Sequence, residues 1–410
     1  SMVYLNTINR YHFETVILEG GGSLLTKSAA GLKCGSKTWS WDPGASGCFC
    51  ITKYGGSTNC GINQYCIAGV CVDDQVLGPA IVLTTNNMRI GATTNLGTEV
   101  ESSLAVRGGL NLTSSTLQIT TKGSINGDGG GHSEESGPGF LYDPANHDYT
   151  TSQKLGGSHG GIGGYQHVLP FGEQGSTYGD FKKPVTQGSG GTRGTISPLS
   201  FVNYPMGGSG GAAIALNITE AMVFDGKISS NGGRGSPGVT QHNVGGGGGA
   251  GGSVWISTPT LSGTGTIATD GGMSRHGFPP YPYNTEGYDG GGGGGGRIAI
   301  HCTKSQYTGT LSSKGGNLDE SRGTQFKVDT MNFDDETIYT GVSWTPIAQY
   351  QYMRGGAGTI YQNCGVFNDV LTLDNGIFPG VGQCRNTVLD LGSIKHIRLF
   401  NYARAEFESS

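Results

Sequence analysis

The chain has 410 residues, of which 78 are Gly, about 19%, against a usual share of roughly 7%. Charged residues make up 13% and the formal net charge is −5, which leaves no basic surface for nucleic acid. The glycines fall in blocks rather than at every third position, which excludes collagen, and no run of 18 apolar residues reads as a membrane-spanning helix.

Taken in chain order, residues 1–32 open without a secretory h-region, as expected of a mature or excised fragment. The alternating stretch Phe13–Leu18, three glycines at 20–22 and Leu24-Leu25 read as a first coil and cap. Residues 33–74 hold six cysteines: Cys34, Cys48, Cys50, Cys60, Cys66 and Cys71. Such density reads as a three-disulfide knob with fifteen possible connectivities. A Cys-x-Cys followed by a Cys-x5-Cys fits no common zinc spacing.

Residues 75–330 carry an internal repeat: Gly, polar, Ile or Leu, three variable residues, Gly-Gly. Its copies are GSINGDGG (123–130), GKISSNGG (226–233), GTIATDGG (265–272) and GTLSSKGG (309–316). Each supplies one aliphatic residue: Ile125, Ile228, Ile267 or Leu311. Upstream of three copies stands a short strand, AAIAL (212–216), SVWIS (253–257) or RIAIH (297–301), itself preceded by a glycine block. The one stretch with helical periodicity, Ile214–Phe224, is flanked by glycine, which costs about 1 kcal/mol per residue in a helix. Strand–turn–strand units with variable insertions cannot bury their apolar face singly, but stacked units can. The predicted fold is therefore all-β: a right-handed parallel β-helix with long glycine-rich loops and the Cys-rich knob as an insertion. Residues 331–410, with strands in 356–365, 370–376, 387–392 and 396–400, continue or cap the solenoid. Cys364 and Cys384 read as a fourth disulfide, with Cys302 left as a buried thiol. Asn111-Leu-Thr and Asn217-Ile-Thr are glycosylation sequons. With the disulfides, they place the expected compartment outside the cell.

The order GSHGGIGG (157–164), YGD (178–180), GSGG (188–191), two rounds of block, strand and repeat, then GGGGGGRIAI (291–300), GGAGTIY (355–361) and LDNG (373–376) resembles the large glycine-rich cell-surface proteins of plants, algae and protists. The likeness covers roughly 105–380. It implies β-helical ectodomains with a surface or matrix role and no established chemistry. The knob lies outside it; it ends like generic secreted knobs but departs from the cysteine order of an EGF module. A rival architecture follows from the glycine runs 245–252 and 290–296. These could form polyglycine II helices packed as a sandwich, as glycine-rich phage tail-tip adhesins look.

For chemistry, the candidate carboxylates Glu134, Glu135, Asp180, Glu286 and Asp289 form no recognisable acid–base pair. His132, His159, His242 and His276 recur just after corners and could meet on one face to hold a metal. Asp128, Asn231 and Asp270 precede the glycine pairs and suit either a hydrogen-bonded ladder or Ca²⁺, the one cofactor the sequence suggests. The loop 275–289 is the best binding candidate. It offers Arg275, His276, Phe278, Tyr281, Tyr283 and Tyr288, stiffened by Pro279, Pro280 and Pro282, and such rings stack on sugars or anchor a protein partner. The expected function is a non-catalytic extracellular adhesive or structural module. Its expected partners are a glycan, an extracellular protein or further copies of itself. A β-helix polysaccharide lyase or hydrolase is the alternative, and a phage-type receptor-binding tip a weaker one.

Overall fold

The computed structural model describes residues 2–5, 10–19, 21–27, 32–33, 48–51, 57–60, 64–67, 70–73, 80–92, 101–140, 155–164, 175–194, 205–237, 245–274, 290–317, 354–365, 367–375, 386–389, 394–401 and 403–407. Every regular element among them is a β-strand, and the strands are numbered along the chain. Seven form one sheet, in the order β1 (Met2–Leu5), β3 (Ser23–Lys27), β10 (Ser102–Arg107), β12 (Gly123–Asn126), β14 (Lys227–Ser229), β16 (Thr266–Ala268) and β18 (Thr310–Ser312). Nine form a second sheet: β2 (Arg10–Glu19), β9 (Ile81–Ala92), β11 (Gly109–Ile119), β13 (Ala213–Phe224), β15 (Ser253–Gly263), β17 (Arg297–Tyr307), β19 (Thr359–Cys364), β20 (Phe367–Asp374) and β22 (His396–Phe400). From β10 to β19 the chain alternates between the two sheets, and each strand pairs parallel with the one a full circuit earlier. The stacking sense changes where β20 turns back antiparallel on β19.

The repeat sets the register. Leu104, Ile125, Ile228, Ile267 and Leu311 are successive Cα partners across the first sheet. Ile81, Leu110, Ile214, Val254, Ile298 and Ile360 form a matching column in the second. Both columns belong to one core, and all their residues but the terminal Leu311 are buried. Each such side chain stabilises the fold by about 1.5–3 kcal/mol. The segment Ile214–Phe224, whose period fits a helix, is strand because its amides pair with β11 and β15 on either side.

The glycine blocks carry the other half of the architecture, and here the rival polyglycine arrangement is the one observed. In the block 246–252 the amides of Gly247 and Ala250 donate to Thr192 and Ser189, those of Gly248 and Gly251 to Gly291 and Gly294, and those of Gly249 and Gly252 to Gly233 and Ser230. Donation thus rotates among three neighbours with a period of three residues. That is the signature of an extended threefold helix with no internal hydrogen bonds, here polyglycine II. The same block accepts from Gly208, Gly157 and Gly272, so it has neighbours on six sides. The segments after β12, β14, β16 and β18 form one layer of this lattice and those before β13, β15, β17 and β19 a second; 155–164 and 188–194, from the long insertion, form a third. At most of these glycines a side chain has no room. A Cβ at Gly210 would stand 1.8 Å from the carbonyl oxygen of Gly188.

In the Cys-rich region, β5 (Cys48–Ile51) and β6 (Ser57–Cys60) form one antiparallel pair, in which Cys48 and Cys60 are Cα partners. A second small sheet joins β4 (Leu32–Lys33), β7 (Gln64–Ile67) and β8 (Val70–Asp73), with Cys66 opposite Cys71. Cys34 lies outside the described residues, as does Cys384. The expected fourth bridge needs correction. Cys364 is bonded to Cys302, with Cα atoms 4.4 Å apart, because parallel stacking makes the two residues register partners on β17 and β19. Cys302 is therefore no free thiol. Near the C-terminus β21 (Asn386–Leu389) and β23 (Arg404–Phe407) pair parallel.

Candidate functional site

One end of the glycine lattice gathers the described flanks of several chain segments. Six segments interrupt the described residues there: 141–154, 165–174, 195–204, 238–244, 275–289 and 318–353. Each has at least one flank tied into this end. Thr192 donates to Leu155, Gly156 to Gly164, Gly194 to Pro205, Ser236 to Met206, Gly246 to Ser236, Gly235 to Met273 and Ser274 to Asn317, all at 2.7–3.1 Å. The lattice thus ties the described flanks of these six segments into one hydrogen-bonded base. The aromatic candidates Arg275, His276, Phe278, Tyr281, Tyr283 and Tyr288 belong to one of them and lie outside the described residues, as do His242, Glu286 and Asp289.

Two of the candidate carboxylates brace this base. The Arg193 guanidinium lies 2.6 Å from Glu134 Oε1, whose partner oxygen accepts the Gly207 amide at 3.0 Å. Glu135 Oε1 accepts the Arg193 amide at 3.2 Å. Glu135 itself has φ of 53°, a conformation that costs a non-glycine residue about 1 kcal/mol or more and aims its carboxylate back at Arg193. Asp180 instead closes a tight turn, accepting the Lys182 amide at 2.7 Å.

The corner residues form the expected polar ladder. Asp128 Oδ1 accepts the Asn231 amide, Asn231 Oδ1 the Asp270 amide and Asp270 Oδ1 the Lys314 amide, each at 2.7 Å. Ser229 and Ser312 hydroxyls add bonds to Asp128 and Asp270. Each side chain therefore satisfies the amide at the same corner of the next circuit.

Of the four histidines proposed to meet, His159 is fully buried inside the lattice. Its Nδ1–H donates to the Gly251 carbonyl at 2.7 Å and its Nε2 accepts from the Thr186 hydroxyl at 2.9 Å. The ring thus serves the acceptor that a lattice amide would otherwise serve. Burial, then the charge of Arg297, push its pKa down to about 3. Among the described residues no three His, Cys, Asp or Glu side chains cluster so as to hold a metal.

A strap that the sequence did not reveal closes the outer face of the nine-stranded sheet. Residues 178–187 cross β15, β17 and β19, and three sheet side chains hold their carbonyls. Ser253 donates to Thr186 at 2.6 Å, Arg297 Nε to Tyr178 at 2.9 Å and His301 Nε2 to Lys182 at 2.6 Å. Phe181 packs edge-on against Tyr361, and the Lys183 ammonium stands 5.1 Å over the Trp255 ring. Arg297 is 3% exposed; burial lowers its pKa to about 10, which keeps it charged at neutral pH. The Tyr361 hydroxyl donates to Asp369, whose carboxyl is held below its usual range chiefly by that bond. One signal was available: Trp255, Ala299 and Tyr361 occupy equivalent outward positions on successive circuits, and two bulky rings separated by Ala leave a slot for a covering ring. Asn111 is exposed and Asn217 half-buried on the open part of the same sheet, one circuit apart, with Asn217 the register partner of Thr113.

Comparison with family models, with curated proteins and with solved structures found no match to this chain.

Proposed function

We propose that this chain is a non-catalytic extracellular recognition and adhesion module. In this reading the two parallel sheets are two faces of a right-handed parallel β-helix. The polyglycine lattice is its third side, and the insertions are its variable binding surface. The observation that supports it is that the described flanks of six segments are hydrogen-bonded into one end of the lattice. A rigid base lowers the ordering cost that recognition loops otherwise carry, and the three prolines of 275–289 lower it further. A glycan or extracellular protein is the partner that the Tyr, Phe, His and Arg residues of 275–289 suit. The polyglycine lattice also favours a second reading, a receptor-binding tip of the phage type, in which the same insertions contact a host surface.

A panel of uronate and neutral glycans, scored for both retention and cleavage, tests the proposal. Tyr281→Ala with Tyr283→Ala should weaken retention by about tenfold or more and leave the melting temperature within roughly a few degrees. Cleavage of any glycan by the unmodified chain would overturn the non-catalytic assignment in favour of a polysaccharide lyase or hydrolase. Collapse of stability in the double variant would assign those rings to the core.

A further inference from the structure

Eight large apolar side chains stand exposed among the described residues, and five of them sit on two strands: Phe13 and Ile17 on β2, Ile397, Leu399 and Phe400 on β22. These are the first and last strands of the nine-stranded sheet. Among the described residues each is bonded to a neighbour on one side only. Sheet edges with unpaired backbone and exposed apolar side chains are templates for pairing with another chain, and soluble proteins ordinarily blunt them. Among the described residues both edges of one sheet are left open.

The two edges also differ in charge. β2 carries Glu14 and Glu19 against Arg10. The stretch 395–400 carries Lys395 and Arg398 and no acid. Lys395 lies 3.8 Å from Asp369 within its own chain and is still 58% exposed, and Arg398 lies over the Phe367 ring. The strand directions are compatible as well. β22 runs parallel to β20, which runs antiparallel to β19 and hence to β2. A second copy stacked in the same sense would meet β22 with an antiparallel β2, the slightly more stable pairing.

We propose that copies of this chain assemble end to end, β22 of one pairing antiparallel with β2 of the next, so that the nine-stranded sheets run on through the assembly. The contact is heterologous: the two patches are different, so a joined pair still has one of each free and the assembly grows as a filament rather than closing as a twofold dimer. The opposed charges make the contact sensitive to salt. The proposal adds an assembly surface to the recognition reading and does not depend on it, because the described flanks of the six segments belong to the lattice and not to either edge strand.

The test uses the full chain and two variants, Ile17→Arg on β2 and Leu399→Glu on β22, with mass measured by sedimentation across a range of concentrations. The unmodified chain should lengthen its assemblies as concentration rises and shorten them in high salt. Each variant alone should need about tenfold or more protein to associate. Mixed together, the two should form a discrete one-to-one dimer, because each supplies the edge the other lacks. Both should melt as the unmodified chain does; should Ile17→Arg fail to fold, Glu14→Lys with Glu19→Lys blocks the same edge from exposed positions. A monomer at every concentration overturns the proposal. So does a mixture that stays monomeric, or assembly lost in Leu399→Glu but untouched in the β2 variants, which would mean a closed β22–β22 contact. Glycan retention measured on the monomeric variants separates failure of this proposal from failure of the recognition reading.

Discussion

Replacing Gly293 by Ala tests the lattice most directly. A Cβ there would stand 1.9 Å from the Gly249 oxygen and 2.5 Å from its carbonyl carbon. Ordinary contact begins near 3.4 Å, so the helix 290–296 would have to retreat by about 1.5 Å, well beyond hydrogen-bond tolerance. The amides of Gly248 and Gly251, which now donate to Gly291 and Gly294 at 2.9 Å, would lose their acceptors. No space exists on the far side either, where Gly161 and Gly164 donate to Gly295 and Gly292. Buried groups left unpaired cost about 1–3 kcal/mol each, and overpacking costs a further 1–3. We expect a loss of about 3–6 kcal/mol, seen as a fall in melting temperature of roughly 10 °C or more. Gly233→Ala is the control within the same lattice. Its Cβ would come no nearer than 3.1 Å to Ser209, and the lower entropy of the unfolded chain offsets part of any strain. That variant should stay within about 1 kcal/mol of the original, as Ala250, already buried in the lattice, suggests. Matched urea and thermal melts check both. Equal stability of the two variants would refute the account of the glycine blocks as a close-packed lattice.

Three further outcomes follow from named contacts. His159 has a folded-state pKa of about 3 against about 6.5 unfolded. The unfolded state therefore binds a proton that the folded state refuses. This group's contribution is complete above about pH 6.5 and declines by up to about 1.4 kcal/mol per pH unit as the pH falls toward 3. Urea midpoints at pH 7 and pH 5 should draw closer together in His159→Asn than in the original; an unchanged gap would contradict the assignment. Replacing both Cys302 and Cys364 by Ser opens a bridge between residues 62 apart and should cost about 4 kcal/mol on the chain-entropy account. Non-reducing peptide maps of the unmodified chain should yield that crosslink and none from Cys364 to Cys384. Asp270→Ala strands the Lys314 amide and the Ser312 hydroxyl and should cost about 1–3 kcal/mol. Asp270→Asn, which keeps an acceptor, should lose less than half of that in the same melts.

The strand positions were legible because burial at the corners is periodic. Ile125, Ile228, Ile267 and Leu311 recur at fixed places in the repeat, and those places are where the first sheet stacks. Strand lengths were less legible. The read strands end at 216, 257 and 301, whereas β13, β15 and β17 run on to 224, 263 and 307. Their second halves, such as CTKSQY, alternate poorly; in that stretch Thr303, Lys304, Ser305 and Gln306 are all exposed, so neither face is buried. The glycine blocks gave no side-chain pattern at all, so a β-corner and a threefold helix were equally compatible with them; only the hydrogen-bond rotation separates the two. The Cys302–Cys364 bridge could have been found by laying RIAIHC over TIYQNC, the segments that follow the third and fourth lattice helices. The strap left only the column of Trp255, Ala299 and Tyr361 as a signal, since its three anchors reach main-chain carbonyls, which leave no trace in residue type.

The threefold rotation of hydrogen bonds has a mechanical consequence. A β-sheet carries its hydrogen bonds in one plane, so a load at its edge can peel strands away one after another. In the glycine lattice an inner helix such as 246–252 is tied to neighbours on six sides. A pull on any insertion is shared at once in several transverse directions, and no single row of bonds can be unzipped ahead of the rest. Load borne at the tips would thus reach the sheets through a block that resists shear from every side, and rupture should begin in the strands or the insertions before it begins among the glycines.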